Sequence, residues 1–248
     1  MSLDKDLEQL QAGSNYRFSA TKIKSLGAEK YTLATMVIDA SGSVAAFAAQ
    51  LEQAIKTIYK AMSKSPQTEN LMLRLTQFSS DLKELHGFKL LNTIKESDYD
   101  NALQIGGNTA LFDAVDEAVQ VTSTYGKQLI SQDFYCNGII VCVTDGQNNE
   151  GALRDPAQIK RSLLEAQKAE NLESLMLILV GVTNGDMSLD AYLMDFVNGA
   201  GITQYVNIGN ATSGKLAKFA QFVSQSVSST SAALGTGAPS KPVTSFTF

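Results

Sequence analysis

Residues 32–39 read Thr-Leu-Ala-Thr-Met-Val-Ile-Asp, and Ala40-Ser41-Gly42-Ser43-Val44 follows at once. The first stretch is apolar and β-branched without alternation, the pattern of a strand buried on both faces. Its last residue is a carboxylate, and the turn after it is rich in hydroxyls. Gly138–Thr144 (GIIVCVT) and Leu175–Thr183 (LMLILVGVT) repeat the buried-strand pattern. Between these strands lie amphipathic segments. Val44–Met62 carries Phe47, Leu51, Ile55 and Ile58 at helical spacing. Ala110–Thr124 reads as a second helix. A third starts with Asp155 as cap and Pro156 at the first helical position, and runs to about Glu170. Leu189–Val197 and Lys215–Val227 are the last two. Asn70–Phe78 alternates as a half-buried strand, Leu85–Leu91 forms a short edge strand, and Gln204–Ile208 is the final strand.

Strand–helix alternation of this kind predicts the α/β class: a doubly wound, mostly parallel central sheet with helices on both faces. Residues 30–230 fit one such domain. Residues 1–29 are polar and mixed, an N-terminal extension with an extra strand or turn around Tyr16–Ile23. From Ser228 onward Ser, Thr, Gly and Pro dominate, so residues 231–248 are expected to form a flexible tail.

Composition narrows the function classes. The chain has 248 residues, 44% hydrophobic and 18% charged, which is globular rather than disordered. Lys and Arg number 20 against 25 for Asp and Glu, and no basic face is visible, so a nucleic-acid partner is not expected. The most apolar runs fall far short of the roughly 20 residues of a membrane helix, so no membrane partner is expected either. The first residues lack a basic start followed by an apolar segment, which points to a cytoplasmic protein. Cys136 and Cys142 are too few for a disulfide scaffold and read as reduced, partly buried thiols. A single His and no Cys cluster exclude the usual zinc sites. Any metal here must be hard and oxygen-bound.

In an open α/β sheet, function sits at the carboxyl ends of the strands. Three loops arrive there: Asp39-Ala40-Ser41-Gly42-Ser43, Gly106-Gly107-Asn108-Thr109-Ala110-Leu111, and Thr144-Asp145-Gly146-Gln147-Asn148. A magnesium ion takes about six oxygen ligands at roughly 2.0–2.1 Å and keeps some waters. Ser41 and Ser43, two apart at a strand-to-helix turn, can aim both oxygens at one point. Thr109 can add a third hydroxyl, while Asp39 and Asp145 bring charge directly or through water. Any one of these loops alone would read as an ordinary helix cap or turn. The ordered set of three is specific.

The spans MVIDASGSV, GGNTALFDAV and IVCVTDGQNNEG resemble the three loops of the metal-ion-dependent adhesion site of von Willebrand factor A domains. Order, spacing and strand context agree, over about residues 30–230. The resemblance implies that fold, a Rossmann-like sheet. It also implies that Ser41, Ser43 and Thr109 ligate Mg²⁺ or Mn²⁺, with Asp39 and Asp145 acting mainly through coordinated waters. One coordination position is then left for an Asp or Glu carboxylate of a partner protein. By the same resemblance the chain is expected to be non-enzymatic. It is similar to compact intracellular members from bacteria, archaea and phages that serve in larger assemblies, often alongside an ATPase. Two alternatives are a structural assembly component whose metal only stabilises the fold, and a metal-dependent phosphohydrolase using Asp39.

Other features compete for attention. Gly209-Asn210-Ala211-Thr212-Ser213-Gly214-Lys215 follows a strand and opens a helix, as a phosphate-binding loop does. Leu216, however, stands where Ser or Thr would hold Mg²⁺, and the plainer reading is a loop capping the last helix. An aspartyl nucleophile at Asp39 would want a second Asp two residues on, where this chain has Ser41. His86 has no Ser or Cys motif around it and is expected to be a surface or partly buried residue rather than a base. Asp190 and Asp195, on a predicted helix, are expected to be solvated.

Overall fold

In the computed structural model, which describes residues 5–168, 171–234, 236 and 240–244, strands and helices alternate along the chain. They run β1 (Leu7–Ala12), β2 (Tyr16–Thr21), β3 (Lys30–Asp39), α1 (Ala48–Ser63), β4 (Leu71–Phe78), β5 (Leu82–Leu90) and α2 (Leu111–Ile130). Then follow β6 (Tyr135–Thr144), α3 (Pro156–Lys168), β7 (Leu175–Gly181), α4 (Met187–Ala200), β8 (Gln204–Asn207) and α5 (Ser213–Ala233). The eight strands form one sheet in the order β1-β2-β5-β4-β3-β6-β7-β8. From β4 to β8 every pairing is parallel; β5 is antiparallel to β4, and β1 is antiparallel to β2.

Successive residues of a strand point to opposite faces, and here both faces are dry. Met36 and Ile38 join Ile55 of α1 and Phe219 and Phe222 of α5 on one side. Val37, with Ile140 and Leu179 of the neighbouring strands, meets Val115 of α2, Leu163 of α3 and Leu193 of α4 on the other. The continuous apolar runs are thus explained by helices on both faces. Among the described residues no helix is long and apolar enough to cross a membrane.

Several element boundaries differ from the expectation. The turn after β3 is a 3₁₀ segment over Gly42–Ala46, and α1 begins only at Ala48 after a break at Phe47. The second helix continues past Thr124 to Ile130, because Gly126 lets it press against the segment before β7. β5 is nine residues long and not an edge, since the β1–β2 hairpin lies beyond it with Ala20 paired to Phe88. A further difference is β1: the strand or turn expected around Tyr16–Ile23 of the extension is β2, and Leu7–Ala12 pairs antiparallel to it as a hairpin. Its turn is made at Gly13, whose φ of +58° suits glycine. The expected end of the third helix at Glu170, and much of the expected tail, lie outside the described residues.

The hairpin seats on an aromatic cluster that includes Phe18, Tyr31, Phe88 and Tyr125. Beside it Arg74, in the middle of β4 and 1% exposed, is held by two carboxylates. Its two terminal nitrogens donate to both oxygens of Glu117 at 3.0 and 2.5 Å, and its Nε donates to Glu84 at 3.0 Å. Glu84 also accepts from the Ser19 backbone N–H and hydroxyl, so one ion-pair network ties β2, β4, β5 and α2 together. At the other margin, Val243 packs against the α1–α5 side of the core, and its carbonyl accepts from Gln204 Nε2 at 2.9 Å. Ser240 Oγ lies 2.7 Å from Ser174 Oγ. Residues 231–233, expected in the tail, belong to α5, where Thr230 and Ser231 are buried. Cys136 and Cys142 are free thiols, fully buried rather than partly so.

Candidate metal centre

β3 ends between β4 and β6, where the strand order reverses; such a switch point opens a crevice at the carboxyl ends of the strands. The three sequence-predicted loops meet there. Asp39 is 1% exposed and is gripped from two sides. Ser41 N–H donates to its Oδ1 at 2.8 Å, and the Thr144 hydroxyl donates to its Oδ2 at 2.6 Å. Ser41 Oγ stands 3.1 Å from Ser43 Oγ, and the Ser43 hydroxyl donates to Asp145 Oδ1 at 2.7 Å. Ser41 is buried while Ser43 is exposed, so the cluster opens to solvent at Ser43.

Thr109 arrives on a loop laid along the Ser41 turn. Gly106 N–H donates to Ala40 C=O at 2.8 Å and Gly42 N–H donates to Gly107 C=O at 3.1 Å. Gly107 has φ +80°, and a Cβ there would stand 2.9 Å from Ser80 Oγ, so the close packing of this loop needs glycine. A Cβ placed on Gly146 would stand 3.3 Å from Thr109 Oγ1, which puts the Thr109 hydroxyl beside the residue after Asp145. All five predicted residues therefore lie around one edge, four of them joined by hydrogen bonds.

Electrostatically the edge is short of positive charge. Burial raises the Asp39 carboxyl above its ordinary range, against the pull of the Ser41 and Thr144 hydrogen bonds. Burial also pushes Asp145 up to about 6, the Ser43 hydrogen bond opposes this, and the Asp39 charge adds to it. Among the described residues neither carboxylate has an ion-pair partner, and both would be relieved by a cation. The donor set has the right spacing for one: two oxygens on adjacent corners of a Mg²⁺ octahedron lie roughly 3 Å apart, given bonds of about 2.1 Å, and the observed separations are 3.1 and 2.7 Å. Among the described residues no group of three or more His, Cys, Asp or Glu side chains could hold a metal, so hydroxyls would have to complete the set.

The residues that hold these loops are ones the sequence reading passed over. Asn149 Oδ1 accepts from Thr109 N–H at 2.7 Å, and Asn149 N–H donates to Thr109 C=O at 3.0 Å. Asn148 Oδ1 accepts from Phe112 N–H at 3.0 Å, capping α2 from another loop. Asp113 accepts from Ala152 and Leu153 N–H, both at 2.7 Å. Asn148 N–H in turn donates to the Tyr192 hydroxyl at 3.2 Å. The available signal was the adjacent pair Asn148-Asn149 in a turn, since Asn side chains readily bond to backbone.

The competing features fall elsewhere. Lys215 Nζ donates to Ile208 C=O at 2.9 Å and Thr212 caps α5, so the glycine-rich loop closes on itself. His86 is partly buried, with Nε2 3.0 Å from the Tyr99 hydroxyl and Nδ1 2.9 Å from Gly87 C=O. Asp190, expected to be solvated, instead accepts from the Tyr205 hydroxyl at 2.6 Å and from Asn207 Nδ2 at 2.8 Å.

Comparison with solved structures agrees on the fold. The pilus adhesin SpaC from Lactobacillus rhamnosus GG superposes with a TM-score of 0.61 at 10% identity, covering 91% of this chain and 34% of that one. The D319A mutant of the PilB minor pilin from Streptococcus sanguinis gives 0.54 at 15% identity, over 85% of this chain and 64% of that one. Proximal thread matrix protein 1 from the mussel byssus, with a zinc-occupied MIDAS motif, gives 0.50 at 19% identity, over 79% of this chain and 46% of that one. This chain thus spans less than two thirds of each. Comparison with curated proteins gives no match. Residues 35–221 match the model of the von Willebrand factor type A domain, three quarters of the chain and every loop described above, and the chain belongs to that family.

Proposed function

We propose that Ser41, Ser43 and Thr109 hold Mg²⁺ or Mn²⁺, with Asp39 and Asp145 supplying negative charge around it, largely through water. The observation that carries this reading is the convergence of oxygens at the switch point, with Ser43 Oγ 3.1 Å from Ser41 Oγ and 2.7 Å from Asp145 Oδ1. Bound there, the ion would supply an electrophilic position for an Asp or Glu carboxylate of a partner protein. Neutral hydroxyl ligands leave the ion's charge less compensated than carboxylates would, which favours that capture. Ser43 is at the solvent face of the cluster, where a partner side chain could approach. Asp39 holds the Ser41 turn by its N–H and fixes the Thr144 hydroxyl.

The chain is read as a non-enzymatic binding module, a subunit of a larger assembly. Against the phosphohydrolase alternative, both Asp39 oxygens are occupied and the side chain is 1% exposed, which denies it the free approach a nucleophile needs. A cytoplasmic setting is a separate proposal, tested by fractionation of the source cells.

The primary test is thermal unfolding in Mg²⁺ and in chelator. At a concentration 100 times the dissociation constant, binding adds about 2.7 kcal/mol, and Ser41→Ala with Ser43→Ala should abolish the gain. A melting temperature indifferent to Mg²⁺ would overturn the site. Where the gain is present but capture of a carboxylate-bearing partner proceeds equally in chelator, the structural-metal alternative replaces the adhesion reading.

A further inference from the structure

Thr109 is the one member of the candidate set that no hydrogen bond ties to the other four, so something else must fix where its hydroxyl stands. Its own backbone supplies the handle. Asn149 Oδ1 accepts the Thr109 N–H at 2.7 Å, and the Asn149 N–H donates back to the Thr109 carbonyl at 3.0 Å. Glu150 N–H adds a second bond to that carbonyl at 3.2 Å. Both polar groups of the Thr109 peptide unit are therefore taken by the loop that begins at Asp145. Thr109 itself is 4% exposed, and its side chain lies against Gly146.

We infer that Asn149 is a positioning residue for the metal centre: its side-chain carbonyl locks the Thr109 loop to the Asp145 loop and so sets the distance between the two. The inference rests on the metal reading above. Its neighbour Asn148 makes a useful contrast, because it accepts from Phe112 N–H and so caps α2, whereas its side chain has no bond to Thr109. Two adjacent residues of the same type in one loop thus have different work. Loss of Asn148 should act on folding, and loss of Asn149 on the geometry of the hydroxyl. Groups that orient metal ligands from behind typically account for 10- to 100-fold in affinity.

The test is Mn²⁺ binding to the full chain, followed by titration calorimetry or the resonance of the free ion, alongside melting in chelator. Asn149→Ala should weaken Mn²⁺ by about 10-fold or more while melting in chelator changes little. Asn148→Ala should lower the melting temperature and leave Mn²⁺ affinity within about twofold of wild type. Asn149→Asp keeps an acceptor at the same reach and should restore the affinity. Asn149→Ala joined with Gln147→Asp adds the same charge to the loop without the acceptor and should not. Ser43→Ala separates the two layers of the argument. If Ser43→Ala weakens Mn²⁺ and Asn149→Ala does not, the positioning role is wrong and the metal reading stands. Rescue by the Gln147→Asp combination would likewise overturn it in favour of simple charge. If wild type shows no Mn²⁺ binding, or Ser43→Ala leaves it unchanged, the metal reading fails and this inference fails with it.

Discussion

Arg74 shows how much a single buried side chain can govern. A guanidinium at 1% exposure is tolerable only because Glu117 meets it with two hydrogen bonds and Glu84 with a third. Glu117→Ala would leave that charge short of its main partner in a dry site, and urea unfolding should show a loss of about 3–5 kcal/mol. Arg74→Met with Glu117→Leu and Glu84→Gln should recover most of it, because no charge of the network then has to be desolvated. His86 carries a pH dependence of its own. Burial lowers its folded pKa to about 4 from an ordinary 6.5, with Lys89 and Arg74 also disfavouring the charge and Asp98 and the Gly87 carbonyl favouring it. Above pH 6.5 neither folded nor unfolded chain binds the proton. As pH falls from about 6.5 to about 4 the unfolded chain takes it up first, so stability falls across that window. The ring is only partly buried, which reduces the effect to about 2 kcal/mol. Unfolding at pH 7 and pH 4.5, wild type against His86→Gln, should show the wild type losing more; equal losses would contradict it.

Among the elements, α2 depends most on one small residue. Gly126 lies inside that helix, where glycine ordinarily costs about 1 kcal/mol against alanine. A Cβ there would stand 2.4 Å from Leu172 Cδ2 and 2.7 Å from the Asn171 carbonyl oxygen. Gly126→Ala should therefore destabilise by about 2 kcal/mol, although propensity alone predicts a gain; a stabilised variant would show that the contact yields. The same residue explains what the sequence could and could not disclose. The helix was expected to stop at Thr124, two residues short of Gly126, because the residues that Gly126 admits, Asn171 and Leu172, lie about 45 residues away in the chain. The three buried strands were legible because a strand covered on both faces loses its alternation, as 32–39, 138–144 and 175–183 do. Of the β1–β2 hairpin, β2 was legible as the extra strand or turn around Tyr16–Ile23, but β1 was not, because half of Leu7–Ala12 is polar and the strand the hairpin joins, at Phe88, is distant in sequence. In the candidate site, Asp39, Ser41, Ser43 and Asp145 sit at the ends of β3 and β6 and Thr109 just before α2, and all five were readable there. Asn148 and Asn149 were not, because their partners are remote in sequence, Phe112 in the first turn of α2 and Thr109 on the loop before it.

Across the whole molecule, the described part of the C-terminal stretch is fastened rather than loose. Val243 packs on the core and accepts from Gln204, and Ser240 meets Ser174. Deleting residues 235–248 should lower stability by about 1–2 kcal/mol, read as a drop of roughly 2–8 °C in melting temperature. Mn²⁺ affinity should not change, because Ser174 and Gln204 lie where β7 and β8 begin and the metal loops lie where β3 and β6 end. Unchanged melting would mean that these contacts add nothing.

The hairpin's direction completes this geometry. β2 is parallel to β5 and therefore antiparallel to β3 and β4, so β1 starts at the end of the sheet where β3 also starts. Residue 5 thus lies toward the foot of the strands, while Ser43 opens at their head, the far end of a ten-residue strand about 30 Å long. A bead, a surface or a neighbouring polypeptide attached at residue 5 would hold the domain by its foot and point its head outward, as a grip is held away from the handle.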